Sequence, residues 1–426
     1  MSYPINQPIT YTAVASTQGQ PSDTFTYAWA FDDTTTANTA TTNKTWASTG
    51  SHLATVTATD TITGGSATAS KYISCKDWSL LTWVSTAAKI IPSTSGSSAD
   101  RIMPLMVSGN LLVNVRDYYT PGAAVSYDTV NMVRNENLTA TSSLTGGGPA
   151  CGAMLTSGPN SGKILVVSKG GLDYGFLDPV SLTMVKSTNT MPLGFFNNPT
   201  VQHLSIQIDS NTILFIGDST TNGVLVCQAY NQVTDTWTTK ATANGPTANA
   251  LLSCALVNNR IWVVCDNQLN TNYYDIASNT WNVGPTLPGT HWASGPTLKL
   301  AHLPNGYPFF ISYANPGQAY WWDGVSATLT SGANFPLSSL NGGVLTNISD
   351  SVCETSNDGF IILMPGYGSS DTTTISNTVV YSPNSNSFTV VMPSPRLTYT
   401  YRSAFLNGRF WQSSNNGILY YTDPVW

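Results

Sequence analysis

Side chains that could support acid–base catalysis are scarce in this chain of 426 residues. It has four histidines, and Glu136 and Glu354 are its only glutamates. Glycosidases use two carboxylates about 5–9 Å apart. The aspartates could supply such a pair, but none stands in a context that indicates a raised pKa. We therefore predict that the protein is not an enzyme, with a polysaccharide-cleaving enzyme as the alternative.

The cysteines also lack a catalytic or metal-binding pattern. No CxxC pair occurs, and the spacing argues against both a zinc site and a dense disulfide framework. We interpret them as buried free thiols, and we predict no cofactor and no metal. The six are Cys75, Cys151, Cys227, Cys254, Cys265 and Cys353.

The composition points to an outward-facing protein. Charged residues make up only 9% of the chain and the net charge is −6, against roughly 25% charged residues in an ordinary domain. Without a basic cluster, a nucleic-acid partner is not expected. The beginning of the sequence has no recognisable signal peptide, and no apolar run approaches the roughly 20 residues of a membrane span.

The first 75 residues alternate apolar and polar side chains. In "TFTYAWAFDD", Tyr27, Trp29 and Phe31 recur at every second position, which predicts a half-buried strand. "SHLATVTATD" alternates in the same way before a "TITGG" turn. Short strands of this kind with one strand tryptophan predict an Ig-like β-sandwich over residues 1–75.

These strands resemble polycystic-kidney-disease (PKD) domains. The motif Trp-Asp-Phe-Gly-Asp-Gly of that family corresponds to "WAFDDT", and its later rhythm corresponds to "TWASTGSHLATVTATD". The Asp and the Gly missing from the first motif are departures from the family pattern. The resemblance implies a spacer or adhesive module rather than a catalytic domain.

From Cys75 onward, an apolar stretch, an Asn/Gly/Ser turn and a second apolar stretch recur about every fifty residues. Such pairs predict β-hairpins, and seven of them at a fixed period predict a β-propeller over residues 76–426. The second strands are expected to begin near Leu111, Lys163, Thr212, Arg260, Pro308, Phe360 and Arg409.

A second element follows most hairpins, as in "YNQVTDTW" and "YDIASNTW". This Tyr-x6-Trp spacing resembles kelch repeats, in which the turn joins the third and fourth strands of a blade. The Gly doublet of kelch blades is mostly absent, so the propeller is interpreted as kelch-like or galactose-oxidase-like. Weaker copies begin at Leu177, Trp322 and Tyr381.

The last repeat contains three strands, ending with "GILYYT". An unpartnered strand, "WSLLTWVS" (Trp78–Ser85), follows the Ig-like domain. Pairing the two would complete the seventh blade and remove an exposed sheet edge. The predicted fold is therefore all-β, an Ig-like sandwich followed by a seven-bladed propeller closed by its N-terminal and C-terminal strands.

The loops that enter the innermost strands provide the candidate ligand site. Aromatic faces with a few polar partners are the usual surface for sugar recognition, although the same side chains could pack between blades. The candidates on this rim are Arg101, His203, His291, Trp292, Tyr399, Tyr401 and Arg402.

We therefore predict a non-enzymatic structural or adhesion protein of a tailed-bacteriophage virion, such as an appendage, tail fibre or capsid decoration. Its partners would be other virion proteins and a host surface polysaccharide, without nucleic acid or membrane insertion. It would be made in the host cytoplasm and located in the virion. The alternative is an extracellular cellular adhesin.

Overall fold

The computed structural model of the protein contains only β-strands in the part of the chain that it describes. That part comprises residues 2–17, 23–77, 82–90, 106–115, 122–141, 143–144, 149–195, 203–219, 224–247, 251–265, 270–286, 298–302, 308–312, 318–323, 330–334, 352–355, 361–364, 377–383, 386–393, 403–413 and 418–423.

The N-terminal domain is a β-sandwich. One sheet has the order β1-β7-β6-β3-β4 and the other pairs β2 with β5. The strands are β1 Ser2–Pro4, β2 Pro8–Thr12, β3 Phe25–Phe31, β4 Thr36–Ala37, β5 Thr41–Thr45, β6 Gly50–Asp60 and β7 Ser66–Lys76. Its core includes Trp29 and Phe31 as predicted, together with Tyr11 and Trp46.

Seven four-stranded antiparallel sheets follow in the described part of the chain, an arrangement that is propeller-like. The first contains β9 Met106–Ser108, β10 Leu111–Val115, β11 Ala124–Asp128 and β12 Val133–Asn137. The second contains β13 Pro149–Met154, β14 Ile164–Ser168, β15 Tyr174–Leu177 and β16 Met184–Lys186. The third contains β17 Leu204–Gln207, β18 Thr212–Asp218, β19 Leu225–Asn231 and β20 Thr236–Thr239.

The remaining sheets repeat this arrangement. The fourth contains β21 Leu251–Val257, β22 Arg260–Cys265, β23 Asn270–Asp275 and β24 Thr280–Thr286. The fifth contains β25 Leu298–His302, β26 Pro308–Ser312, β27 Gln318–Trp321 and β28 Thr330–Asn334. The sixth contains β29 Val352–Thr355, β30 Ile361–Met364, β31 Asn377–Ser382 and β32 Ser387–Pro393. The seventh contains β33 Ser403–Leu406, β34 Arg409–Ser413, β35 Ile418–Asp423 and β8 Thr82–Lys89.

The predicted hairpins lie at the starts of these sheets. Five second strands begin at the predicted residue, whereas β14 begins at Ile164 and β30 at Ile361, one position later. The turn between β33 and β34 is Asn407–Gly408, and both residues have positive φ. Asn-Gly is favoured there because type I′ turns require positive φ at both central positions.

The fourth strand of the seventh sheet comes from the segment that precedes the first sheet in the sequence. β8 pairs antiparallel with β35, with Val84 opposite Tyr421. The strand extends past the predicted Ser85 to Lys89, and the predicted part at 78–81 lies outside the described residues. The first strand of each sheet contacts that of the next, and β33 contacts β9.

Candidate functional site

Polar groups come together at one end of the second and third sheets, which are neighbours. β14 ends at Ser168, β18 ends at Asp218 and β17 begins at Leu204, so these termini lie at the same end of the second and third sheets. We call the space between the two sheets at this end the 2–3 seam. The connecting segments 196–202 and 220–223 lie outside the described residues.

Phe195 fills the base of the 2–3 seam. Its backbone forms one bridge to Lys169, beside β14, and another to Ser219, beside β18. Its carbonyl accepts a hydrogen bond from the Gly170 amide at 2.7 Å. Since its side chain is completely buried, Phe195 ties the ends of the two sheets together with both its backbone and its ring.

His203 packs directly against Phe195. Its ring contacts Phe195 edge to face, with the centroids 5.1 Å apart. A methyl group on Gly217 would lie 2.4 Å from Cδ2 of His203 and 2.8 Å from Cδ1 of Phe195. A residue without a side chain is therefore needed for the imidazole to pack on the backbone of β18.

The His203 imidazole is held in its neutral form. Burial lowers its pKa to about 3, and the positive charge of Lys169 lowers it further, against a weaker opposing effect of the Asp218 backbone. His203 is only 6% exposed. Neither ring nitrogen has a hydrogen-bond partner among the residues that the structure describes. A neutral imidazole offers one donor and one acceptor.

Two further polar side chains line the 2–3 seam. Lys169 is 1% exposed and supplies a positive charge. Gln228 donates from Nε2 to the Leu193 carbonyl at 3.0 Å. Its Oε1 has no partner in the described part of the chain. Nearby, burial raises the pKa of the Cys151 thiol despite the opposing charge of Lys169, so this cysteine stays protonated.

The sequence predicted one member of this group, His203. The other six rim candidates, Arg101, His291, Trp292, Tyr399, Tyr401 and Arg402, lie outside the described residues and remain predictions. Lys169 and Gln228 were missed. The sequence feature that could have indicated a role for Lys169 is its position directly after the apolar strand "ILVVS", in a chain with only 16 lysines and arginines.

The described residues contain no group of three or more His, Cys, Asp or Glu that could hold a metal ion. Within the same ranges, no helix long and apolar enough to cross a membrane occurs. Cys75, Cys151 and Cys227 are buried free thiols, and Cys254 is a partly buried one.

Comparison with known proteins identifies the N-terminal domain. Residues 3–75 match the family model described as PKD domain, which agrees with the resemblance of the "WAFDDT" region. No curated protein matches the chain. Solved structures that are similar include one titled oligogalacturonate lyase in complex with manganese. It shares 12% sequence identity and a TM-score of 0.47, covering 88% of this chain and 97% of that chain.

This last finding corrects one prediction. The sequence predicted that the protein is not an enzyme, yet an enzyme is among the proteins that resemble it over most of their length. That prediction is withdrawn.

Proposed function

We propose that the protein is a surface component of a tailed-bacteriophage particle and that its propeller binds an acidic glycan of the host at the 2–3 seam. The proposal depends mainly on the burial of both Lys169 and His203 at this end of the second and third sheets, where the Lys169 charge acts on the His203 ring. Neither ring nitrogen has a side-chain hydrogen-bond partner among the described residues. Fixed polar groups in a largely apolar recess are typical of ligand sites. A carboxylate on a sugar would match the lysine charge and the imidazole donor.

We further propose that the seven sheets form a closed, kelch-like propeller. The pairing of β8 with β35 and the contact between β33 and β9 support this arrangement. The kelch resemblance is supported by Tyr230 and Tyr274, which lie opposite Trp237 and Trp281 across the third and fourth strands. A ring of this kind holds the loops of all its blades on a rigid scaffold.

In this proposal, the PKD domain sets the reach of the propeller from the particle and contacts other virion proteins. Its surface is rich in neutral hydroxyl groups, such as the Thr55–Ser70 and Thr57–Thr68 pairs at 2.9 and 3.0 Å. Composition supports the virion location, because few charges and many Ser, Thr and Asn residues suit an exposed particle protein. An extracellular adhesin of a cell is the alternative location.

Binding to immobilised acidic and neutral polysaccharides tests the glycan site. Lys169→Gln should weaken binding to the acidic polymer about tenfold or more, because a buried charge partner is lost. Lys186→Gln is the matched control, since Lys186 belongs to the same sheet but pairs with Asp173 at 2.7 Å on the surface. His203→Gln, which keeps hydrogen-bonding groups, should weaken binding less than His203→Phe. Equal binding by all four variants would overturn the site.

Immunogold labelling of gradient-purified particles tests the location. An antibody against the propeller should label the particles, at the tail tip if the protein recognises the host directly. Label spread over the head would assign a decoration role and contradict direct recognition. Absence of label from every particle would contradict the virion proposal and favour the extracellular adhesin.

A second candidate is an enzyme that cleaves the glycan it binds. It is favoured by the buried Lys169 charge beside His203, because a fixed positive charge can stabilise negative charge that develops on a substrate during cleavage. Incubation with acidic polysaccharides should then release new reducing ends, and Lys169→Gln should abolish the release. If binding is retained without any release, recognition alone is the function.

A further inference from the structure

The PKD domain exposes a long stretch of strand that has no neighbour on one side. β7 pairs with β6 from Ser66 to Cys75 without a register shift. On its other side, β1 pairs only with Ser74, Cys75 and Lys76. No other strand pairs with β7 in the part of the chain that the structure describes, and residues 66–72 are all exposed.

The main-chain groups of this stretch are oriented toward the open side. The carbonyl of Lys76 accepts a hydrogen bond from Ile5, on the β1 side, at 2.9 Å, and the carbonyl of Gly65 accepts one from Asp60, on the β6 side, at 2.8 Å. In a strand, the N–H and C=O of one residue point the same way and alternate along the chain. The even-numbered residues from 66 to 72 therefore present their amides and carbonyls to the open edge.

Only one of the features that normally protect an exposed edge, a single lysine, occurs in this stretch. Natural sheets block edges with charges, prolines, bulges or very short strands. Here the sequence is "SATASKY", with Lys71 as its only charged residue, and the pairing with β6 has no bulge. Tyr72 is 70% exposed although it is a large aromatic residue.

We propose that this edge binds the same edge of a second copy of the protein, in an antiparallel arrangement with its two-fold axis at Ala69. This register places Ser66 opposite Tyr72 and Thr68 opposite Ser70 of the second copy. All of these residues direct their main-chain groups outward. Because the two-fold axis repeats each pairing, four residue pairs would form, with two hydrogen bonds in each and about eight in total. Such an interface is isologous, as in most two-fold dimers.

The charges favour a second copy in this register. Lys71 would lie opposite Ala67, so no like charges face each other across the new pairing. Like charges directly opposite on paired strands are destabilising. At the axis, Ala69 would face Ala69 of the second copy, and two methyl groups fit side by side.

The side chains of the outer face are also complementary. Thr55 already pairs with Ser70 at 2.9 Å, and Thr57 with Thr68 at 3.0 Å. In the proposed register, Ser70 lies beside Thr68 of the second copy. The two hydroxyl rows would therefore continue from one protein into the other without interruption, and cross-strand Thr–Ser hydrogen bonds stabilise such pairs.

The expected dimer is weak in solution. A single strand pair buries less than the roughly 800 Å² per partner of a standard interface. We therefore expect association to depend on concentration, and to strengthen where copies are held close together on a common support.

Sedimentation velocity of the full chain at increasing concentration tests the dimer. Ala69→Lys and Ala69→Glu should each abolish association, because like charges then meet at the axis. An equimolar mixture of the two variants should associate again, and to a greater extent than the unaltered chain. A variant that simply misfolded would not be rescued in this way, so failure of the mixture to associate would overturn the proposal.

Disulfide trapping tests the register. Non-hydrogen-bonded antiparallel pairs have Cα atoms about 4.5 Å apart, within the range that a disulfide spans. Ala69→Cys should cross-link to itself on mild oxidation, whereas Ala67→Cys should not, because its partner is Lys71. Equal cross-linking of both variants would contradict this register. The proposal would be overturned if the unaltered chain stayed monomeric in solution and Ala69→Lys nevertheless reduced its attachment to particles. That result would show that the edge binds another protein.

Discussion

The hydroxyl of Tyr174, in the second sheet, donates a hydrogen bond to Oδ1 of Asp235, in the third sheet, at 2.8 Å. The same carboxylate oxygen accepts a second bond from Tyr230 at 3.0 Å. The amide of Asn189 donates to Oδ2 at 3.2 Å. Asp235 has a φ of 52°, so one turn residue in the left-handed region joins two neighbouring sheets.

Two other turns repeat the arrangement. Tyr274 donates to Oδ1 of Asn279 at 2.5 Å, and Tyr381 donates to Oδ1 of Asn386 at 2.9 Å. Both asparagines have positive φ, which Asn and Asp adopt more readily than other residues with side chains. Their side-chain oxygens also accept backbone N–H groups from the preceding sheet, those of Ala241 and Ala333.

Replacing Asp235 tests how strongly this contact stabilises the packing of the second sheet against the third. Asp235→Ala should lower the free energy of unfolding by about 2–4 kcal/mol, because two tyrosine hydroxyls lose their acceptor and alanine tolerates positive φ poorly. Asp235→Asn keeps an acceptor oxygen and tolerates that φ, so it should cost less than about 1.5 kcal/mol. Urea denaturation measures both, and equal losses would contradict the role of the oxygen.

The spacing of Tyr230 and Trp237 shows what could be predicted from the sequence. Their separation matches two residues opposite each other across a short hairpin, and they are direct partners in the β19–β20 pairing. The same holds for Tyr274 with Trp281 and for Leu177 with Met184. Within a hairpin, register follows from local turn chemistry and from the alternation of side chains.

The contacts between sheets could not be predicted in the same way. The bond from Tyr174 to Asp235 joins residues 61 positions apart, and its existence depends on the twist and spacing of two sheets. The approach of Lys169 to His203 has the same origin. A sequence repeat indicates that sheets are neighbours, but it does not specify which side chains meet between them.

The buried tyrosines should make the protein sensitive to alkali. Burial raises the pKa of Tyr274 to about 12, with smaller contributions from Cys227 and Asp275. Between pH 10 and 12 the unfolded chain loses this proton first, so stability should fall by about 1.4 kcal/mol per pH unit for each such group. Urea midpoints measured from pH 8 upward should decline less steeply in Tyr274→Phe. A slope in Tyr274→Phe that equals that of the unaltered chain would contradict this assignment.

His203 should produce the opposite dependence at acid pH. Because its pKa in the folded protein is about 3, against about 6.5 when unfolded, the unfolded state binds the proton first. Its contribution is present above pH 6.5 and is lost as the pH falls toward 3, by about 1.4 kcal/mol per unit at most. The difference in stability between the unaltered chain and His203→Phe should therefore change across this range. A constant difference from pH 7 to pH 4 would show that the imidazole is not held neutral by the fold.

Removing residues 407–426 tests the proposed ring closure. This deletion eliminates β34 and β35 and leaves β8 without a partner among the described strands. It also removes Trp411 and Leu419, which are completely buried between the seventh and first sheets. Calorimetry should show a fall in Tm of more than about 10 °C, since several kcal/mol of buried apolar contact are lost. Deletion of residues 1–76 is the control, because it removes the PKD domain but keeps every strand of the seven sheets, and its propeller transition should stay within a few degrees of the full chain. A truncated chain that melts at the temperature of the full chain would contradict closure by β8 and β35.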